Sequence, residues 1–205
     1  MAKESKSNPK KDMADKILKD VLKKKKDLLP IEQNIKNSQE HHLRGEGLAY
    51  SMRGDFESAI ECCNRAIKIN PKGAYSYFLR GRSKGDLGYL EEGLKDLTKA
   101  IKLDNTFADA YTNRGIIRSK LEDYEGAISD LNRAIELDPK DLEALRQRGL
   151  IKGLLGDPKG AILDFKKAIK VKPDKHHYIS QEMIDGLKEC LALAEKMRER
   201  DELNA

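Results

Sequence analysis

Four stretches of the chain are near copies: CNRAIKINP at 63–71, LTKAIKLDN at 97–105, LNRAIELDP at 131–139 and FKKAIKVKP at 165–173. Each begins 34 residues after the one before. Self-similarity at one fixed period of this length marks a stacked-repeat architecture, in which each unit is one supersecondary element that cannot bury its apolar face alone. The agreement extends beyond the nine residues. Gly47, Gly81, Gly115 and Gly149 stand in phase, as do Ala66, Ala100, Ala134 and Ala168 nineteen residues later, with Ala59, Gly93, Ala127 and Ala161 between them. Small residues on facing helices let two axes approach closely, so each unit reads as helix, turn, helix.

The second helix of a unit carries a one-sided apolar stripe. In YEGAISDLNRAIEL it is formed by Tyr124, Ala127, Ile128, Leu131, Ala134 and Ile135. Pro71, Pro139 and Pro173 close three of the copies, where a residue without a backbone N–H cannot continue a helix; Asn105 takes that place in the other.

These residues resemble the tetratricopeptide repeat, a two-helix unit of 34 residues with small residues at the helix contact and proline at the exit. The likeness covers about 40–173 and divides the chain into a basic arm with a lead-in helix (1–39), four repeats (40–73, 74–107, 108–141, 142–175) and a C-terminal capping helix with tail (176–205). It implies an all-α, right-handed α-solenoid. Leu43, Tyr77, Tyr111 and Leu145 occupy the family's first large position. Asn105 for proline is one departure; Arg80, Arg114 and Arg148 before the glycine, where the family more often has leucine, are another.

Those three arginines have partners in the sequence. Asp96, Asp130 and Asp164 recur sixteen residues after them, whereas the first repeat has Glu46 and Cys62 at the two positions. Arginine and aspartate appear together or not at all, which predicts a salt bridge between the two helices of one repeat, with a structural role.

With 37% charged and 39% hydrophobic residues, the 205-residue chain is lean in core material for one sphere, and a solenoid with a thin continuous core suits it. Residues 1–37 hold eleven lysines against six acids, while the remainder balances, so the net charge of +5 belongs to the arm. Asp12–Leu29 places Ile17, Leu18, Val21 and Leu22 on one side of a helix expected to stop near Pro30, with the lead-in helix at 31–39. Downstream, Ile179, Met183, Leu187, Leu191 and Ala194 form the stripe of a helix expected to cover the open end of the stack.

Catalysis, cofactors and metals find little support. His41–His42 and His176–His177 are adjacent pairs four repeats apart, and neighbours on a helix diverge by about 100°. Cys62 and Cys63 lack a redox spacing, and Cys63 stands where Leu97, Leu131 and Phe165 stand, as a small buried hydrophobe. No phosphate-binding glycine motif occurs. Three cysteines give no disulfide framework, no apolar run is long enough to span a bilayer, no signal peptide opens the chain, and Ala2 excludes myristoylation. A cytoplasmic location is expected.

The resemblance implies a binding or scaffolding role, since in this family the first helices of successive repeats line a concave groove that commonly holds a peptide or helix of another protein. The groove positions here are Arg44, Leu48 and Met52; Tyr75, Phe78, Leu79 and Arg82; Asp109, Thr112, Asn113, Ile116 and Lys120; and Glu143, Arg146, Gln147 and Leu150. Tyr75, Phe78 and Leu79 form the expected apolar anchor, with Asn113 and Gln147 able to bond an extended backbone. The carboxylate clamp of the family's chaperone-binding members does not carry over: Arg44 is kept, but Leu48 and Leu79 replace asparagines, and Asp109 and Asn113 replace bases. The expected function is a non-catalytic interaction adaptor. The alternatives are a tether to a membrane or polyanion through the arm, and a regulatory subunit of an enzyme complex. A weak contact of residues 10–28 with an anionic membrane is expected to supplement the groove, weakened by Asp12, Asp15, Asp20 and Asp27. Nucleic acid ranks low, because the arm lacks arginine and aromatic residues.

Overall fold

The computed structural model describes residues 9–171 and 181–203. Among these the chain forms nine helices and no strand: α1 (Pro9–Met52), α2 (Phe56–Ile69), α3 (Ala74–Asp86), α4 (Leu90–Leu103), α5 (Ala108–Lys120), α6 (Tyr124–Leu137), α7 (Leu142–Leu154), α8 (Pro158–Ile169) and α9 (Gln181–Leu203). The end of α1 pairs antiparallel with α2, and α3 with α4, α5 with α6 and α7 with α8; α9 packs on α8.

Both turns of the repeat are written in the backbone chemistry. Between the helices of a pair one residue takes positive φ, and it is Gly54, Gly88 and Gly156 in three copies but Glu122 (φ 62°) in the third. Asp55, Asp123 and Asp157 then cap the second helix, each accepting from the amide of the third helical residue; Tyr89 stands at this place in the second repeat and makes no side-chain cap. Between repeats, Asn70, Asp104 and Asp138 accept from the amide two residues on. This explains how Asn105 stands in for proline. The Asp104 carboxylate also accepts from the Thr106 hydroxyl at 2.7 Å, and these two bonds hold its pKa below the ordinary aspartate value.

The in-phase small residues make the pairs tight. A Cβ on Gly81 would lie 3.0 Å from the Gly93 carbonyl and from Leu97 Cγ, and one on Gly149 would lie 2.7 Å from the Phe165 ring. Around these contacts the core forms two clusters. One centres on Cys63, Phe78, Leu79, Leu97, Ala100 and Ile117, the other on Leu131, Leu145, Ile151, Phe165, Leu187 and Ala194. Cys63 has no exposed surface, and burial pushes its thiol up to about 12, so it acts as a small hydrophobe.

The arginine–aspartate pairs bridge the two helices within repeats two, three and four. Arg80, Arg114 and Arg148 each donate Nε and Nη2 to both oxygens of Asp96, Asp130 and Asp164, at 2.5 to 2.9 Å. Two further links were not anticipated. Lys84, Arg118 and Lys152, one turn after each arginine, donate to the same carboxylates at 2.8 to 2.9 Å. The arginines' remaining Nη1 reaches back to Asn64, Thr98 and Asn132 on the second helix of the preceding repeat. A single guanidinium thus joins residues sixteen positions behind and sixteen ahead, and the row forms a ladder along the stack. At its end Lys166 holds the place of Asn132 and pairs with Glu195 of α9 at 3.1 Å.

One expectation fails. Pro30 does not end a helix: α1 runs unbroken through it, fusing the arm, the lead-in segment and the first helix of repeat one. Proline removes one backbone donor and crowds the carbonyl four residues back, but Pro30 is exposed among exposed neighbours, where water can satisfy the freed carbonyl. In α9, Leu187 and Ala194 are buried against the second cluster with Leu191 beside them. His176, His177, Ile179, Pro173 and the side chains of Leu18 and Met183 lie outside the described residues.

Candidate partner-binding groove

The first helices touch one another from repeat to repeat (α1 with α3, α3 with α5, α5 with α7, α7 with α9), whereas the second helices α2, α4, α6 and α8 make no such contacts among the described residues. The array therefore curves towards the first helices, whose free faces line its inner side.

At the N-terminal end this face is aromatic and cationic. The Arg44 guanidinium lies 4.6 Å over the Tyr75 ring and 3.7 Å from the nearly buried Glu40, which accepts from the Ser76 hydroxyl. Tyr75 stacks on Phe107 at 6.2 Å between centroids, and Phe78 packs against both rings. Burial raises the Tyr75 phenol above its ordinary value, so it stays a neutral donor. Leu48 is half-buried beside this cluster, Met52 is largely exposed at the end of α1, and Arg82 is exposed, 4.0 Å from Asp86.

The expected anchor is corrected here. Phe78 is 5% exposed and Leu79 not at all, because Leu79 fills the space over Gly47 that a larger residue would occupy. Tyr75 alone of the three offers surface, and Phe107, at the cap of α5, completes the aromatic group without having been expected there. Thr112 is also withdrawn: it is 3% exposed and donates its hydroxyl to Asp141, the residue capping α7, at 2.6 Å.

Further along, the face is polar and internally bonded. Asn113 Nδ2 donates to the Asp109 carbonyl at 2.8 Å, Lys120 reaches the Gly85 carbonyl at 3.4 Å, and Ile116 is half-buried between them. Asp109 itself is exposed. Glu143 accepts two bonds from Arg146 and one from Gln147. Burial works to raise the Glu143 carboxyl, but these bonds outweigh it and its pKa ends below the ordinary glutamate value. The groove does not end polar, however. Leu150 opens onto an apolar cleft of about 310 Å³ between α7, α8 and α9, with Leu154, Phe165, Cys190, Leu193 and Met197 on its walls. This cleft was invisible to the repeat pattern because α9 is not a repeat helix.

Among the described residues no three His, Cys, Asp or Glu side chains come together as metal ligands, and no helix is long and apolar enough to cross a membrane.

An inner face built from the first helices of four stacked pairs defines a repeat protein of the helical-solenoid class. The chain belongs to the tetratricopeptide repeat family: models of that repeat match residues 43–72 and 108–141, and again 74–107 and 142–175. Among solved structures it is similar to MamA protein, at 26% identity and a TM-score of 0.58 over 80% of this chain and 90% of that one. It is also similar to the second TPR domain of human RPAP3 in complex with the HSP70 peptide SGPTIEEVD (28% identity, TM-score 0.54, 57% of this chain and 98% of that one). A third is the first TPR of Spaghetti (RPAP3) bound to the HSP90 peptide SRMEEVD (25%, TM-score 0.55, 58% and 94%). No curated protein matches the chain.

Proposed function

We propose that the protein is a non-catalytic interaction adaptor that holds a peptide or helix of a partner protein along the inner faces of α1, α3, α5 and α7. The observation that carries this is the Arg44–Tyr75–Phe107 platform. A half-buried aromatic surface under a guanidinium, on the concave side of the stack, has the residue types that dominate binding energy at protein interfaces. The peptide complexes of the RPAP3 domains support a protein partner. They do not transfer the peptide class, because Leu48, the buried Leu79 and Asp109 stand where a carboxylate clamp needs amides and a base. The ligand that fits is an internal segment. Its apolar residues would sit at Tyr75 and at the cleft beside Leu150, and its backbone would run past Asn113 and Gln147.

Affinity capture on the immobilised chain tests this, comparing wild type with Arg44→Glu and Tyr75→Ala. Arg44 pairs with the nearly buried Glu40 and Tyr75 packs on the core, so the melting temperature should fall somewhat, while the helical signal holds at the capture temperature and the captured partners fall away. Unchanged recovery with both variants would remove the groove as the site.

A further inference from the structure

Repeats two and three lock together through one residue. Ile117 of α5 sets its side chain between Gly85 of α3 and Gly93 of α4: a Cβ on either glycine would lie 2.8 or 2.9 Å from Ile117 Cδ1. The same joint recurs along the sequence. Its two small residues are Ser51 and Ala59, Gly85 and Gly93, Ser119 and Ala127, and Gly153 and Ala161. The residue that enters, 32 places after the first of each pair, is Ser83, Ile117, Ile151 and lastly Asp185. Ser83, Ile117 and Ile151 are all buried. Asp185 is exposed instead and accepts on its own helix from Gln181 and Lys188, since a carboxylate does not enter an apolar notch without a partner. The fourth notch is therefore left open. Among the described residues a Cβ on Gly153 would meet Ala161 Cβ alone, at 3.9 Å, and the space beyond is the cleft of about 310 Å³ beside Leu150.

We infer that this cleft takes two aliphatic side chains, leucine or isoleucine, set three or four residues apart on a helix of the partner, an occupancy that rests on the groove reading above because the cleft opens into the groove at Leu150. The closed notches show the kind of occupant: an aliphatic side chain carried on a helix fills the one between Gly85 and Gly93. The rim shows its spacing. Leu150 and Leu154 stand one turn apart on α7, Leu193 and Met197 one turn apart on α9, and Leu154 and Leu193 expose more than 60% of their surface. Ridges of side chains four apart receive a like ridge from a third helix between them. The volume is about ten times the ~30 Å³ share of one water in the liquid, more than the four carbons of one isoleucine side chain, so a pair fits. Among the described residues no charged side chain lines the cleft, so a fatty acid or phospholipid would leave its headgroup without a cation there.

Gly153→Leu tests this by filling the notch from within. The new side chain grows into open space and replaces a glycine inside α7, so the melting temperature should rise by about 2–4 °C. The probes are random peptide segments displayed on phage with both ends fused, selected on the immobilised full chain and then measured singly by fluorescence anisotropy. Selected sequences should carry leucine or isoleucine at spacings of three or four, and Gly153→Leu should weaken them about tenfold to a hundredfold. Leu193→Ser, at an exposed rim residue, should weaken them without raising the melting temperature. A selection without binders, or peptides that bind either variant as tightly as wild type, overturns the proposal; so does a lowered melting temperature of Gly153→Leu, which would mean that the notch is already filled. Aliphatic residues spaced by two, the period of an extended strand, overturn the helical occupant. Arg44→Glu separates the cleft from the groove. Peptides weakened by Arg44→Glu but by neither cleft variant keep the groove and remove the cleft, whereas peptides weakened by the cleft variants alone keep the cleft and remove the groove.

Discussion

Arg114 and Asp130 offer the sharpest test of what holds the repeats together. The guanidinium gives two charge-assisted bonds of 2.8 and 2.7 Å to a carboxylate whose side chain is 4% exposed, while Arg118 adds a third at 2.9 Å. Bonds to charged groups contribute about 1.5–3 kcal/mol each, and stripping one partner from a buried pair costs about 3–5 kcal/mol when the other charge is left bare. Arg114→Met keeps the aliphatic volume, and Arg118 still neutralises Asp130, so the expected loss is lower, at about 2–3 kcal/mol. Asp130→Asn keeps the shape but takes the counter-charge from both guanidiniums, and the expected loss is about 2–4 kcal/mol. Because the two changes disrupt the same bonds, the double variant should fall short of additivity by about 1–2 kcal/mol. Urea unfolding measures this, with the slope checked for constancy, since near-independent repeats can lose cooperativity instead of midpoint. The coupling should persist in high salt, because the pair is largely shielded from solvent; the exposed Arg133–Glu136 pair should show none under the same conditions. A coupling below about 0.5 kcal/mol, or one that high salt abolishes, would refute the ladder as a source of stability.

Glu122 is the one residue other than glycine at positive φ among the described residues, at a turn where the other copies use glycine. Glu122→Gly should therefore raise stability by about 1 kcal/mol in thermal unfolding, by removing the crowding that L side chains suffer there. Tyr89→Asp should stabilise by about 0.5–2 kcal/mol in the same assay. It gives α4 the cap that Asp55, Asp123 and Asp157 give the other second helices. The Asp164 carboxyl is raised by burial but lowered further by its bonds from Arg148 and Lys152, and its folded pKa ends below the ordinary aspartate value. Its contribution is thus complete above that value and disappears as pH falls through the folded pKa, so urea midpoints should drop on the acid side, and Asp164→Asn should flatten that drop.

The fold was legible because its determinants recur: glycine and alanine at fixed phase specify close helix pairs, and the joint presence of arginine and aspartate identifies their partners from the sequence alone. Other features depend on which neighbour lies above a residue. Helical position gives a direction around one axis, and Leu79 points towards the groove side by that measure, yet the side-chain-free Gly47 lets it sink out of reach. Thr112 is captured by Asp141, 29 residues away, through a contact that no helical spacing predicts. The second cation of the ladder did leave a signal, since Lys84, Arg118 and Lys152 also recur every 34 residues, but a mixed Lys/Arg column is easily taken for solvated charge. At Pro30 the proline rule misled because it describes a cost, and an exposed helix surface is where that cost is lowest.

The ladder also bears on how the groove moves. In repeats two to four each first helix is tied to its own second helix and to the one before it, so these units should shift as a body. Repeat one has Glu46, Tyr50 and Cys62 at the three ladder positions, and there Gly47 of α1 packs closely on Ala59 and Cys62 of α2. Its inner face is nevertheless the one that presents Arg44 to Tyr75, through Glu40 and Ser76. The platform proposed to grip the partner thus rests on the one repeat whose two helices lack the arginine–aspartate bridge, where a small shift of α1 against α2 would widen the groove. Native-state amide exchange should show α2 opening more readily than α4 and α6, with partner binding protecting α2 and α3 more than α6. Equal protection across α2, α4 and α6 would mean that apolar packing alone sets the stiffness of the stack, and the ladder would then have no part in shaping the groove.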